Sequence, residues 1–180
     1  ELVRELRDWK DTPKPVRRGE RTKEERGKVR KLGIPTVVDR MIQQAIAQEL
    51  TPIYEEQFSE NSYGFRPGRS TQDALAKCRK YVNEGYVYAI SMDLQSYFDM
   101  VNHSKLIEVL SKTIKDGRVI SLIHTYLNAG VMEDGGFQAT PEGVPQGGPL
   151  RPWCGNVMLN ELEKELESRG LKFVRYDGDG

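Results

Sequence analysis

The chain has 180 residues, 37% of them apolar and 30% charged, with 27 basic side chains against 27 acidic ones. That is enough apolar material for one ordinary core or two small lobes. Two cysteines, Cys78 and Cys154, exclude a disulfide framework, and no Cys/His cluster has zinc-ligand spacing.

No apolar run approaches a membrane span, and the opening Glu1-Leu2-Val3-Arg4 is not a signal peptide. A soluble cytoplasmic protein is therefore expected. The zero net charge hides a gradient. Residues 1–31 hold twelve Lys and Arg against seven Asp and Glu, and the remainder holds fifteen against twenty. The basic end suits a polyanion, and the acidic groups beyond it suit cations. A solvated charged face explains the N-terminal segment as well.

Residues 2–10 read as an amphipathic helix ended by Thr12-Pro13-Lys14-Pro15. Residues 16–32 read as a strand pair around a polar turn at Glu24-Glu25-Arg26-Gly27. After the turn Gly33-Ile34-Pro35, Thr36 suits an N-cap with Asp39 in the first turn. Val38, Met41, Ile42, Ala45 and Ile46 keep one face of a helix over 37–50, which Thr51-Pro52 is expected to stop. A polar loop from Phe58 to Ser70 leads to a helix over 71–83 with Ala74, Leu75, Cys78 and Val82 inward.

A strand is expected over Tyr86 to Leu94. Ser104 is expected to cap a helix over 105–114, and another follows over 118–128. A hairpin turns at Asp134-Gly135-Gly136, and Gly143 to Pro149 form a stiff irregular loop. The helix after it places Val157, Met158, Leu162 and Leu166 on one side. Leu171 to Tyr176 is the last strand. The pattern is α+β, helices packed on an antiparallel sheet.

Four segments carry chemistry that packing alone does not require. Asp93 ends an apolar strand and is followed by Tyr97, Phe98 and Asp99. A carboxylate on a rigid strand end suits a hard divalent cation, although many such Asp residues cap a turn. Asp177-Gly178-Asp179 ends the last strand. Two acidic strand ends could build a paired-metal site; a plain turn or the opening of a calcium loop are the alternatives. Arg17 through Lys31 could face phosphates or simply solubilise the surface. The Pro145-Gln146-Gly147 loop could orient a sugar or base, or be a structural turn. Tyr63 to Ser70 adds Arg66 and Arg69 among aromatics, as a nucleic-acid groove or as a packed loop with snorkelling arginines.

In their order these segments resemble a group II intron-encoded reverse transcriptase, or maturase. Leu32 to Ala45, Asn61 to Ser70, Asp93 to His103, Gly143 to Leu150 and Phe173 to Tyr176 are similar to the successive blocks of that family. The resemblance implies a right-hand polymerase fold, with residues 1–84 as fingers and 85–180 as the first part of the palm. Part of 100–142 would return to the fingers. It also implies RNA-directed DNA synthesis with two Mg2+ ions and, as partners, intron RNA, an RNA template with a DNA primer, and deoxynucleotides.

The resemblance makes Asp93 and Asp179 catalytic. The metal ligands would be Asp93, the Leu94 carbonyl, Asp177 and Asp179. Lys23 and Arg30 would clamp the triphosphate, Phe98 would lie under the sugar and exclude a 2′-hydroxyl, and Gln146 would contact the nucleotide. Arg17, Arg18, Arg66 and Arg69 would meet RNA.

The segment by itself lacks the family's thumb and is expected to be inactive. Gly178 stands where the family's motif has a metal-binding Asp. Arg151, Trp153, Cys154 and Gly155 stand where it has Ser, two small apolar residues and Ser or Ala, so strain at that helix start is expected. An RNA-binding module without polymerase activity is the alternative, and a partial gene product without a role of its own is the third.

Overall fold

A computed structural model describes residues 4, 6, 8, 12–22, 29–94, 97–133, 135–144 and 147–176, with the backbone alone at 19–22 and 29–32. The basic stretch folds as the expected hairpin. Strand β1 (Val16–Thr22) pairs antiparallel with β2 (Val29–Ile34), Arg17 opposite Ile34 and Thr22 opposite Val29. Its turn lies outside the described residues.

A second hairpin, β3 (Val131–Glu133) and β4 (Gly136–Gln138), joins β1 in parallel through Val16 and Val131. The sheet order is β2-β1-β3-β4. It is mixed, where the sequence reading had an antiparallel sheet.

Helix α1 (Val37–Glu55) starts as its cap dictates: Thr36 Oγ1 accepts from the Asp39 N–H at 3.1 Å. It does not stop at Thr51-Pro52. Proline has no N–H to give the Gln48 carbonyl, but Gln48 is exposed, so water can take that acceptor. The buried stripe is Asp39, Ile42, Gln43, Ile46, Ala47, Leu50 and Tyr54, whereas Val38 and Met41 are exposed.

Helix α2 (Thr71–Asn83) has the expected bounds and a complete capping box between Ser70 and Asp73. Only Ala74 of its expected inward face is buried; Leu75, Cys78 and Val82 are exposed.

Residues 86–92 form no strand. They run on without a ladder, and Asp93 makes a lone β-bridge. Tyr88, Ile90 and Val87 are exposed along this run. Alternating apolar residues favour a strand only when a neighbouring edge takes their backbone bonds. Leu171 to Tyr176 behaves likewise, with bridges at Arg175 and Tyr176 alone.

Helices α3 (His103–Thr113) and α4 (Gly117–Leu127) follow, α3 capped by Asn102 and not by Ser104. Helix α5 (Leu150–Ser168) closes the fold. Its buried face holds Trp153, Cys154, Val157, Leu159, Asn160 and Glu163; Leu162 is exposed. One core draws Ile42, Leu50, Leu106, Leu110, Ile123, Leu127, Trp153 and Val157 from α1, α3, α4 and α5, and Leu6 packs against it. No described helix is long and apolar enough to cross a membrane.

Candidate active site

The carboxylate of Asp93, expected at a strand end, instead follows an extended run without a ladder; it is exposed, and no described residue bonds to it. Leu94 beside it is exposed too. Three residues on, a short 3-10 turn (Tyr97–Asp99) carries Phe98. Three contacts fix this turn. The Val144 N–H donates to the Phe98 carbonyl at 2.8 Å, and the Gly143 N–H donates to the Val101 carbonyl at 2.8 Å. The buried His103 meets the Gly143 carbonyl through Nε2 at 2.6 Å. A carbonyl only accepts, so Nε2 carries the proton. The structure thus brings Phe98 against the loop that continues into Pro145 and Gln146, both outside the described residues.

Helix α5 supports the same turn. The Tyr97 hydroxyl donates to the Gly155 carbonyl at 3.2 Å, and Arg151 pairs with Asp99 at 3.1 Å. Burial pushes the Tyr97 hydroxyl well above its ordinary range, so it stays a neutral donor. Both bulky residues at this helix start find a place: Trp153 packs edge-on to Tyr54 at 5.1 Å, and Arg151, its side chain largely enclosed, lies over Phe98. Burial drives the Cys154 thiol up to about 12, which leaves it an inert core group.

The segment leading to Asp177 is held by Arg175. Its N–H donates to the Asn61 carbonyl at 2.8 Å, and its own carbonyl accepts from Tyr63 N–H at 2.9 Å. Inside, its guanidinium meets Glu163, Ser62 and Asn156. The sequence reading missed this network. Its signal was Asn156, Asn160 and Glu163, polar residues recurring along one helix face that is otherwise core.

The other expected site residues are scattered or undescribed. Lys23, Gln146, Asp177 and Asp179 lie outside the described residues, and Arg30 has only its backbone in β2. Arg17 is exposed, and Arg18 lies 3.6 Å from Glu133.

Arg69 pairs with Glu60 at 2.9 Å and lies over Tyr63. Arg66 turns inward. It donates to Glu55 at 2.8 Å and to the Ser59 and Ser62 carbonyls at 2.6 and 2.9 Å. With its side chain 2% exposed, it ties the 59–66 loop together and has no surface left for a phosphate.

This arrangement has known counterparts. The model of the reverse transcriptase (RNA-dependent DNA polymerase) family matches residues 14–179. The chain belongs to that family. The group II intron-encoded protein LtrA of Lactococcus lactis subsp. cremoris is 37% identical over 174 residues, covering 97% of this chain and 29% of LtrA. Protein YkfC of Escherichia coli (strain K12) is 40% identical over 149 residues, covering 81% of this chain and 39% of YkfC.

Among solved structures, a partial Cas6-RT-Cas1–Cas2 complex aligns with TM-score 0.62 at 26% identity, over 98% of this chain and 30% of that one. Telomerase from Candida albicans aligns with TM-score 0.64 at 10% identity, over 96% of this chain and 38% of that one, a likeness of fold alone. The chain therefore spans about three tenths of the length of LtrA. Its α+β architecture is that of the fingers and the first part of the palm.

Proposed function

We propose that this chain is the fingers and first palm segment of an RNA-directed DNA polymerase of the group II intron-encoded type. Residues 1–84 would be fingers and 85–180 palm, and the core shared by α1, α3 and α4 supports a return of part of 100–142 to the fingers. The observation that carries the reading is the exposed Asp93 carboxylate, bonded to no described residue, one short turn from a Phe98 tethered to the Gly143–Val144 loop.

An all-oxygen ligand set fits Mg2+. Asp93, the Leu94 carbonyl, Asp177 and Asp179 would hold it. Among the described residues no cluster of three acidic, His or Cys side chains could hold a metal, so a complete site needs the terminal Asp pair. Bound there, the ions would lower the pKa of the attacking hydroxyl and neutralise charge on the leaving pyrophosphate.

This chain's own residues orient and exclude. Phe98 faces the sugar and crowds a 2′-hydroxyl. Gln146 positions the nucleotide, and Lys23 and Arg30 hold the triphosphate by charge-assisted bonds. Arg17, Arg18 and Arg69 meet RNA phosphates.

The test is primer extension by the full-length protein carrying this chain, on an RNA template with a DNA primer and Mg2+. DNA is expected to accumulate. Asp93→Ala should lower the rate by more than the roughly 10–100-fold typical of losing a supporting residue around a metal. Gly178 favours a second reading, because it removes a carboxylate where the family's motif has one. An RNA-binding maturase module would then bind intron RNA tightly and make no DNA.

A further inference from the structure

Groups from α5 and the 97–99 turn surround the Phe98 ring. The Arg151 guanidinium lies 4.6 Å from the ring centroid, where a cation is drawn to the electron-rich face. The same guanidinium pairs with Asp99 and donates to the Val144 carbonyl. It therefore spans the residue after Phe98 and the loop whose Val144 N–H donates to the Phe98 carbonyl. Helix α5 leaves a matching space. A Cβ on Gly155 would come within 2.4 Å of Phe98 Cε1. Tyr97 closes the group, its ring 5.4 Å from that of Phe98 and its hydroxyl on the Gly155 carbonyl.

We propose that Arg151 and Gly155 set the position of the Phe98 ring and so tune how strongly the site rejects a 2′-hydroxyl. The inference rests on the reading of Phe98 as the sugar-facing residue. A ring excludes an extra hydroxyl only if it cannot swing aside. Phe98 is half-buried on a three-residue turn, and a side chain there has other staggered positions open to it. The guanidinium stack and the missing Cβ both favour the one against α5. Arg151 is a positioning residue, acting through the ring.

The experiment measures incorporation efficiency for a deoxynucleotide and its ribonucleotide by the full-length protein. It compares the unaltered protein with Arg151→Ser, Arg151→Lys, Gly155→Ala and Phe98→Val. A lost cation–ring contact should lower the deoxy-to-ribo ratio roughly three- to tenfold in Arg151→Ser. Lysine keeps the charge for Asp99 but loses the flat stack, so Arg151→Lys should fall between. Gly155→Ala displaces the same ring with the guanidinium intact and should move the ratio too.

A merely structural role would lower the melting temperature and overall rate while the ratio stayed put, and that result overturns the inference. If Phe98→Val changes the ratio and the Arg151 variants do not, the inference falls and the sugar-facing role stands. If Phe98→Val leaves the ratio unchanged, the underlying reading falls. Should turnover be too slow to measure, the same ratio is read from nucleotide binding to the protein–template–primer complex. Equal ratios in Arg151→Ser and the unaltered protein would overturn the proposal, and no nucleotide binding by the unaltered protein would overturn it together with the reading beneath it.

Discussion

Arg175 is 6% exposed and Glu163, its partner across the α5 surface, 1% exposed. Two charges taken out of water stay only where each is matched and the remaining donors are used. Here Ser62 and Asn156 take further guanidinium bonds, and Asn156 in turn donates to the Gly64 carbonyl at 3.0 Å. The pair thus locks α5, the 61–64 turn and the run toward Asp177 into one unit.

Removing one partner strands a buried charge. Arg175→Met is expected to cost about 3–5 kcal/mol. Replacing both, as Arg175→Met with Glu163→Leu, should cost clearly less than the two single losses added together. Urea unfolding of the two single variants and the double variant reads this coupling, and strictly additive losses would mean that the charges do not depend on each other.

At the scale of elements, what was legible in the sequence was what neighbours along the chain decide. Thr36 as a cap, the 71–83 helix, the β1–β2 hairpin and the turn at Asp134-Gly135-Gly136 rest on interactions within a few residues, and each of these elements is present. Helix faces were less legible, because burial depends on which element arrives from far away. Leu75 and Val82 have helical spacing but are exposed, while Asn156 and Glu163 are polar and buried. The strand expected over 86–94 needed a partner edge that no local pattern supplies. At Arg66, a basic residue among aromatics reads the same whether it faces RNA or Glu55.

The glycine loop was read as orienting a sugar or base or as a structural turn, and at Gly147 its backbone packs closely against the protein itself. Gly147 has φ +80°, and a Cβ there would sit 2.1 Å from the Gly33 carbonyl oxygen at the end of β2. Backbone cannot swing away as a side chain can. Gly147→Ala should therefore destabilise by about 1–3 kcal/mol and loosen the loop bearing Gln146. Gly117→Ala, in helical backbone with open space around it, is the control and should be neutral or slightly stabilising. Thermal melting of both variants decides it; an unchanged Gly147→Ala protein would show that the loop does not pack against Gly33.

Across the whole molecule, the charge gradient becomes a question of which arginines are available. Arg17 is exposed on β1; Arg18 and Arg69 are partly exposed with acidic neighbours at 3.6 and 2.9 Å. Exposed ion pairs are worth little and exchange readily for a phosphate. Arg66, enclosed, does not exchange. Each cation that meets a single-stranded RNA phosphate releases counterions and adds about 0.7 to the slope of log affinity against log salt. Converting Arg17, Arg18 and Arg69 together to Ala should therefore flatten that slope by about 2 for RNA binding by the full-length protein. Arg66→Ala should lower the melting temperature, because it frees Glu55 and two carbonyls, and leave the slope alone. A slope unmoved by the triple change would take Arg17, Arg18 and Arg69 out of the RNA interface.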